Sequence, residues 1–162
     1  MIVALDVHYG VTAVTAALVG WHAWPDATPA CERVVRTPGA PAPYVPGAFY
    51  ARELPHLQAA LAVAPAAPSV IVVDGYAWLG PDRPGLGAHL HDAVGVPVIG
   101  VAKTAFAGAP AVPVVRGDSA RPLYVTAAGL DPQLAARHLA AMHGPHRLPT
   151  LLKRVDTLAR QR

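Results

Sequence analysis

Several residue types are scarce in this chain. Its 162 residues include one cysteine, two lysines and two glutamates. With Cys31 alone there can be no intrachain disulfide and no zinc site built from several thiolates. Charged residues make up only 14%, but the 53% that are apolar suffice for a packed core, which excludes global disorder. No run of 18 apolar residues is free of charge, Pro or Gly, so a membrane span is not expected. No basic segment precedes the first apolar run, which argues against a secretory signal and makes the cytoplasm the expected compartment. Eleven Arg, 33 Ala and 18 Pro accompany these shortages, the bias of a GC-rich genome rather than a structural demand. The length suits a single domain over residues 1–162.

What charge there is lies unevenly. The net charge is +3, yet Arg137, Arg147, Lys153, Arg154, Arg160 and Arg162 face only Asp156 at the C-terminal end. Such a surface suits an anionic partner such as phosphate; the alternative is a solvated helix face.

Strand character opens the chain at 2–9 and continues at 11–21 and 33–37, followed by a Pro/Gly-rich loop at 38–47. A helix is expected over 48–64, with Pro55 in or near its first turn. Residues 69–73 form a buried-type strand ending on Asp74, and after a loop at 75–84 come a helix at 85–94 and a strand at 96–102 ending on Lys103. A hairpin or edge pair at 111–116 and 121–126 and two helices, about 131–142 and 149–161, complete the chain. Three early strands on short turns should be antiparallel, whereas later strands separated by helices should be parallel. The order describes an α/β fold of ribonuclease H-like architecture, with the first strand central and the fourth beside it.

Two acids stand out. Asp6 sits within an apolar strand, and Asp74 ends Val-Ile-Val-Val. Burying a carboxylate is costly unless a partner compensates. If the first and fourth strands are neighbours, the two acids meet across the sheet, and a cation must lie between them: Lys, Arg or a divalent metal. Mg²⁺ suits such a site because it takes few carboxylates and keeps water and phosphate oxygens. Taken singly, an Asp at a strand end is also an ordinary turn cap. Glu53 follows the unusual loop Pro43-Tyr44-Val45-Pro46-Gly47, and Lys103 offers a compact ammonium where a planar guanidinium would not fit. Gly85-Leu86-Gly87 lacks the third glycine of a dinucleotide fingerprint, and His138, His143 and His146 do not share one helical face.

Five segments in order resemble the endonuclease V family. They are Leu5-Asp6-Val7; Pro43-Tyr44-Val45-Pro46-Gly47 with Ala51-Arg52-Glu53; Val73-Asp74-Gly75; Gly85-x-Gly87-x-His89-Leu90 with Pro97-x-Ile99-Gly100-Val101-Ala102-Lys103; and Arg147-Leu148-Pro149 with Asp156. The resemblance implies a ribonuclease H-like fold and a Mg²⁺-dependent endonuclease, with Mn²⁺ as a possible substitute. Its substrate would be nucleic acid, DNA or RNA, containing a deaminated purine such as inosine. The cut would fall at the second phosphodiester bond on the 3′ side of the lesion. By the same resemblance Asp6, Glu53 and Asp74 are metal-binding carboxylates, Asp156 is a fourth acid behind them, and Lys103 holds the scissile phosphate or the leaving group. Tyr44 is the wedge where the lesion base leaves the helix, Gly75 and Gly100 allow close backbone approach to the flipped base, and Arg83 contacts phosphate.

The chain also departs from the family pattern. Gly80-Pro81-Asp82 stands where the family has His-Pro-Arg, with Arg83 one place later. The segment between Lys103 and Pro122 is short, and Thr126-Ala127-Ala128-Gly129 replaces Ser-Pro-Gly-His. Two rival readings follow: a non-catalytic nucleic-acid-binding relative, and a nuclease for branched or flapped strands.

Overall fold

The computed structural model describes residues 1–161; Arg162, counted in the basic C-terminal run, lies outside the described residues. Strands β1 (Ile2–Tyr9), β2 (Ala13–Trp21) and β3 (Cys31–Pro38) form an antiparallel meander. Its first turn is closed by the Gly10 N–H, which donates to the Ala13 carbonyl at 2.9 Å. Helix α1 (Phe49–Ala62) leads to β4 (Val70–Asp74), a short hairpin β5 (Trp78–Gly80) and β6 (Arg83–Pro84), and helix α2 (Leu86–Val94). Strands β7 (Val98–Ala102), β8 (Val112–Val114) and β9 (Leu123–Ala128) follow, then helices α3 (Pro132–Ala141) and α4 (Thr150–Arg160).

The main sheet has the order β3-β2-β1-β4-β7-β9-β8. The early strands are antiparallel, and β4 lies parallel to both β1 and β7, as the intervening helices require. The last strands return antiparallel, β9 against both β7 and β8, because no helix lies between β7 and β9 to carry a crossover.

Period-two alternation sends the β1 and β4 side chains to opposite faces. Ile2, Ala4 and Val72 join Leu151, Val155 and Leu158 under α4, while Val3, Leu5, Ile71 and Val73 join Leu57 of α1 and Leu90 of α2. Helix α4 earns its place by spacing: Leu151, Leu152, Val155, Leu158 and Ala159 are all buried on one face. Helix α3 starts on Asp131, whose side chain accepts from the Gln133 N–H at 2.9 Å, with Pro132 in the first turn.

Two local expectations are corrected. Helix α1 begins at Phe49, so Pro55 lies in the second turn and removes the N–H that would bond the Ala51 carbonyl. Both residues are exposed, which leaves that carbonyl to water. The segment expected as a plain loop at 75–84 contains the β5–β6 hairpin. Among the described residues no helix is long and apolar enough to cross a membrane.

Candidate active site

Parallel pairing seats the two strand acids together. Leu5 of β1 is level with Val73 of β4, so Asp6 and Asp74 are the next pair along the same edge. Asp74 is level with Val101 of β7, two residues before Lys103. The Lys103 Nζ lies 3.5 Å from Asp74 Oδ2, and both side chains are about half exposed. Glu53 arrives from α1 on the other face of the sheet, close enough for its charge and those of Asp6 and Asp74 to repel. Asp156 comes from α4, and with Asp6, Asp74 and Lys103 it lines a cavity of about 30 Å³.

Electrostatics sets these acids apart from ordinary surface carboxylates. Burial, then the neighbouring charges of Asp74 and Asp156, push Asp6 up to about 6 despite a 2.9 Å hydrogen bond from the Val7 N–H. Burial, then Asp6 and Asp74, push Glu53 up to about 7. Asp156 behaves oppositely: burial raises it, but hydrogen bonds and charge from Arg160 and Lys153 outweigh burial and hold it below the usual carboxylate range. The Arg160 Nε is 2.8 Å from Asp156 Oδ1, and the Lys153 Nζ is 3.3 Å from Oδ2.

This donor set suits a divalent cation. The oxygens are hard, the negative charge of Asp6 and Glu53 is undercompensated, and the cavity has room for a water-sized group. Among the described residues no three His, Cys, Asp or Glu side chains stand together as a ready-made metal site, and Glu53 does not line the cavity that Asp6, Asp74 and Asp156 share. An open set of this kind matches Mg²⁺, which binds through one or two carboxylates and keeps its remaining positions for water and phosphate.

Asp74 also borders a second and larger space. A cleft of about 490 Å³ is lined by Tyr44, Phe49, Tyr50, Tyr76, His89 and Phe106, together with Asp74 and Gly75. Tyr50 stacks on His89 with centroids 3.5 Å apart, and the Tyr76 hydroxyl donates to the Thr104 carbonyl at 2.5 Å. Tyr44 is 58% exposed on its Pro-flanked loop. The Arg83 guanidinium lies 5.7 Å from the Phe106 ring centroid and lines the same cleft.

The two sequence-selected glycines play different parts. Gly75, at φ +98°, turns the chain off β4 and leaves its Cα face open to the cleft. Its N–H donates to the Val101 carbonyl at 2.9 Å, so that amide is not free to read a base. Gly100 is buried: a Cβ there would meet the Ala77 nitrogen at 2.5 Å and the Gly75 carbonyl oxygen at 2.7 Å. The expected close approach at Gly100 is therefore to the chain's own 75–77 turn and not to a ligand.

The family model of endonuclease V matches residues 1–150. The chain belongs to the endonuclease V family. Endonuclease V of Streptomyces avermitilis is 36% identical over 140 residues, covering 74% of this chain and 61% of that protein. The Streptomyces coelicolor protein is 36% identical over 141 residues, with coverage of 73% and 60%. The chain thus spans about three fifths of the length of these curated relatives. The crystal structure of the S. avermitilis protein superposes with a TM-score of 0.78 at 32% identity, over 98% of this chain and 79% of that one. Endonuclease V from Ciona intestinalis, in complex with a 24mer DNA containing an inosine followed by a ribo-adenosine, gives a TM-score of 0.85. That likeness covers 98% of this chain and 83% of the other at 18% identity, and it bears on the fold. The endonuclease V fold is ribonuclease H-like, as the strand order indicates.

Within this endonuclease V scaffold several supporting contacts escape a sequence reading, even where the residue itself stands in a motif. Arg147 Nη2 donates to the carbonyls of Lys103 and Pro122, pinning the backbone that carries the site lysine. Arg116, largely buried, donates to the Met142, His146 and Arg147 carbonyls and ties down the loop before α4. Thr126 Oγ1 accepts from the Ala77 N–H at 2.7 Å and so holds the turn beyond Asp74. The Arg52 guanidinium sits 3.8 Å over the Tyr9 ring, next to Glu53. No motif or spacing links these pairs in the sequence; only the fold brings them together.

The raised acids make a stability prediction for the metal-free endonuclease V chain. Asp6 and Glu53 hold their protons to about 6 and 7 when folded, against ordinary values of 3.8 and 4.5. Their stabilising contribution is complete below about pH 4 and is lost as pH rises through the folded values. In EDTA the melting temperature should fall by several degrees between pH 4 and 8 relative to Asp6→Asn and Glu53→Gln. Thermal melts across that range check it; variants with the wild-type slope would show that neither acid is strained.

Proposed function

We propose that this chain is a Mg²⁺-dependent endonuclease that cuts DNA or RNA beside a deaminated purine such as inosine. The cut would fall at the second phosphodiester bond 3′ of the lesion. One observation carries the reading: Asp74 borders both the acid cavity and the aromatic cleft, so a base in the cleft leaves its backbone at the acids. The cleft's aromatic walls offer stacking faces for an extruded base.

The residues divide the work by position. Asp6, Glu53 and Asp74 would hold the cation, with Asp156 behind them as an anchor for Arg160 and Lys153. When bound, the ion supplies charge stabilisation at the phosphate and activation of the attacking water. Lys103 presents its ammonium beside Asp74, where it can neutralise a phosphate oxygen or the departing 3′-oxygen. Tyr44 fills the gap left by the extruded base, and the open face of Gly75 lets the base lie against backbone.

Cleavage of inosine-containing and plain oligonucleotides, DNA and RNA, with Mg²⁺ or with EDTA, tests this reading. Expected is Mg²⁺-dependent cutting of inosine strands alone. Inosine binding without any cutting would support the non-catalytic alternative, and inosine-independent cutting of flaps or branches the other nuclease.

Asp82 gives a separate handle on strand affinity. It is exposed at the tip of the β5–β6 hairpin, beside Arg83 of the cleft, where it repels phosphate. Asp82→Arg should tighten oligonucleotide binding and steepen its salt dependence by about one counterion. Titrations at several salt concentrations measure both; an unchanged slope would place the hairpin away from the strand.

A further inference from the structure

The sheet face that carries Asp6 stays polar beyond it. Asp6 and His8 share the α4 side of β1, by alternation. His8 is level with Thr15 on β2, and Thr15 with Arg36 on β3, so the three form a row across the strands. Further down the same face the residues are apolar: Ala4, Ala17, Val19 and Trp21 are all in the core under the closing helices. On β1 and β2 the polar residues begin where α4 ends; on β3 the same face also carries Glu32, which is paired with Arg154 of α4.

Around this row lies an open groove of about 600 Å³. It is lined by the row itself, by Arg160 and Gln161 at the end of α4, and by the 10–13 turn. No carboxylate lines it among the described residues. The Arg36 guanidinium is exposed and donates to the Gln161 carbonyl at 3.0 Å, a neutral partner, and it forms no ion pair among the described residues. Arg160 faces the groove while bound to Asp156, which in turn lines the acid cavity. Strand order places the groove on the β1-β2-β3 side of the acids and the aromatic cleft on the β4-β7 side. The acids stand between the two.

We infer that this groove is a track for the phosphodiester backbone on the 3′ side of the cut, with Arg36 as its principal phosphate contact and the Thr15 and His8 side chains beneath. The inference rests on the proposed function, which puts the lesion base in the cleft and the scissile phosphate at the acids. A strand so placed has one direction left in which to run. Guanidinium groups are usual contacts to phosphate oxygens and position a strand without reading its sequence, while Thr15 is buried and belongs to the groove's floor.

The test uses two single-stranded oligonucleotides, each with one inosine. One ends just past the expected cut and the other extends well beyond it on the 3′ side. Binding of each to wild type, Arg36→Ala and Arg36→Glu is measured in EDTA at several salt concentrations. Wild type should hold the extended strand more tightly. Arg36→Ala should weaken the extended strand about fivefold and lower its salt slope by about 0.7, Arg36→Glu should weaken it further, and the short strand should keep its affinity. Equal losses on both strands, or none, would overturn the track, as would a wild type indifferent to the extension. A wild type that binds neither inosine strand would overturn the proposed function and the track with it. Arg36 lies exposed on an edge strand, and an unchanged circular dichroism spectrum with an unchanged short-strand affinity separates loss of contact from misfolding.

Discussion

Asp74→Asn should leave the fold intact and lower Mg²⁺-dependent cleavage by more than about a hundredfold, beyond the usual cost of losing a residue that only supports a ligand. The change keeps side-chain volume and removes one negative charge from the point where β4 ends. Structural damage should be slight, because Asp74 is largely exposed and its ion pair with Lys103 is a half-exposed contact of little energetic weight. Binding to inosine strands in EDTA should survive, since Asn keeps the side-chain volume where Asp74 borders the cleft and the aromatic walls are unchanged. Turnover near the wild-type rate by the purified variant, free of host nuclease, would remove Asp74 from the metal site.

Tyr44→Ala should weaken binding to an inosine strand by about ten- to a hundredfold, equivalent to roughly 1–3 kcal/mol of stacking. Its ring projects from a loop with proline on either side, at Pro43 and Pro46, so little conformational freedom is lost on stacking. It is 58% exposed and contributes little to the core, so stability should hardly move. Plain strands rely on phosphate contacts and should lose much less. Parallel titrations of inosine-containing and plain strands decide the matter: equal losses would make Tyr44 a loop-packing residue.

Much of the scaffold could be read from spacing and hydrophobicity. The buried runs of β1 and β4 are explicit, and two intervening short-turn strands leave those two to pair in parallel around the acids. The closing helix was equally legible, because α4 repeats its apolar residues at helical intervals. Less legible was anything decided by a contact distant in sequence. The β5–β6 hairpin is two to three residues per strand, too short for periodicity to register. Pro55 deep inside α1 runs against intrinsic preference and is tolerated because the orphaned carbonyl is on the wet side. Gly100 looks like a ligand-facing glycine, but the tight contact it permits is with Ala77 of its own chain. The grip of Arg147 on the Lys103 carbonyl spans 44 residues, and the row from His8 to Arg36 exists only once three strands are in register.

The parallel pairing of β1 with β4 has a kinetic side. Ile2 lies level with Val70, so the whole β2-β3-α1 segment must be looped out before the first rung of that ladder can form. Closing so long a loop costs entropy that local contacts cannot return in advance, which makes this step a natural bottleneck in folding. The last rung to zip brings two like charges side by side. Any cation that binds the assembled acids and not the open chain therefore acts as a latch on the native state, holding it more firmly as the cation concentration rises above its dissociation constant.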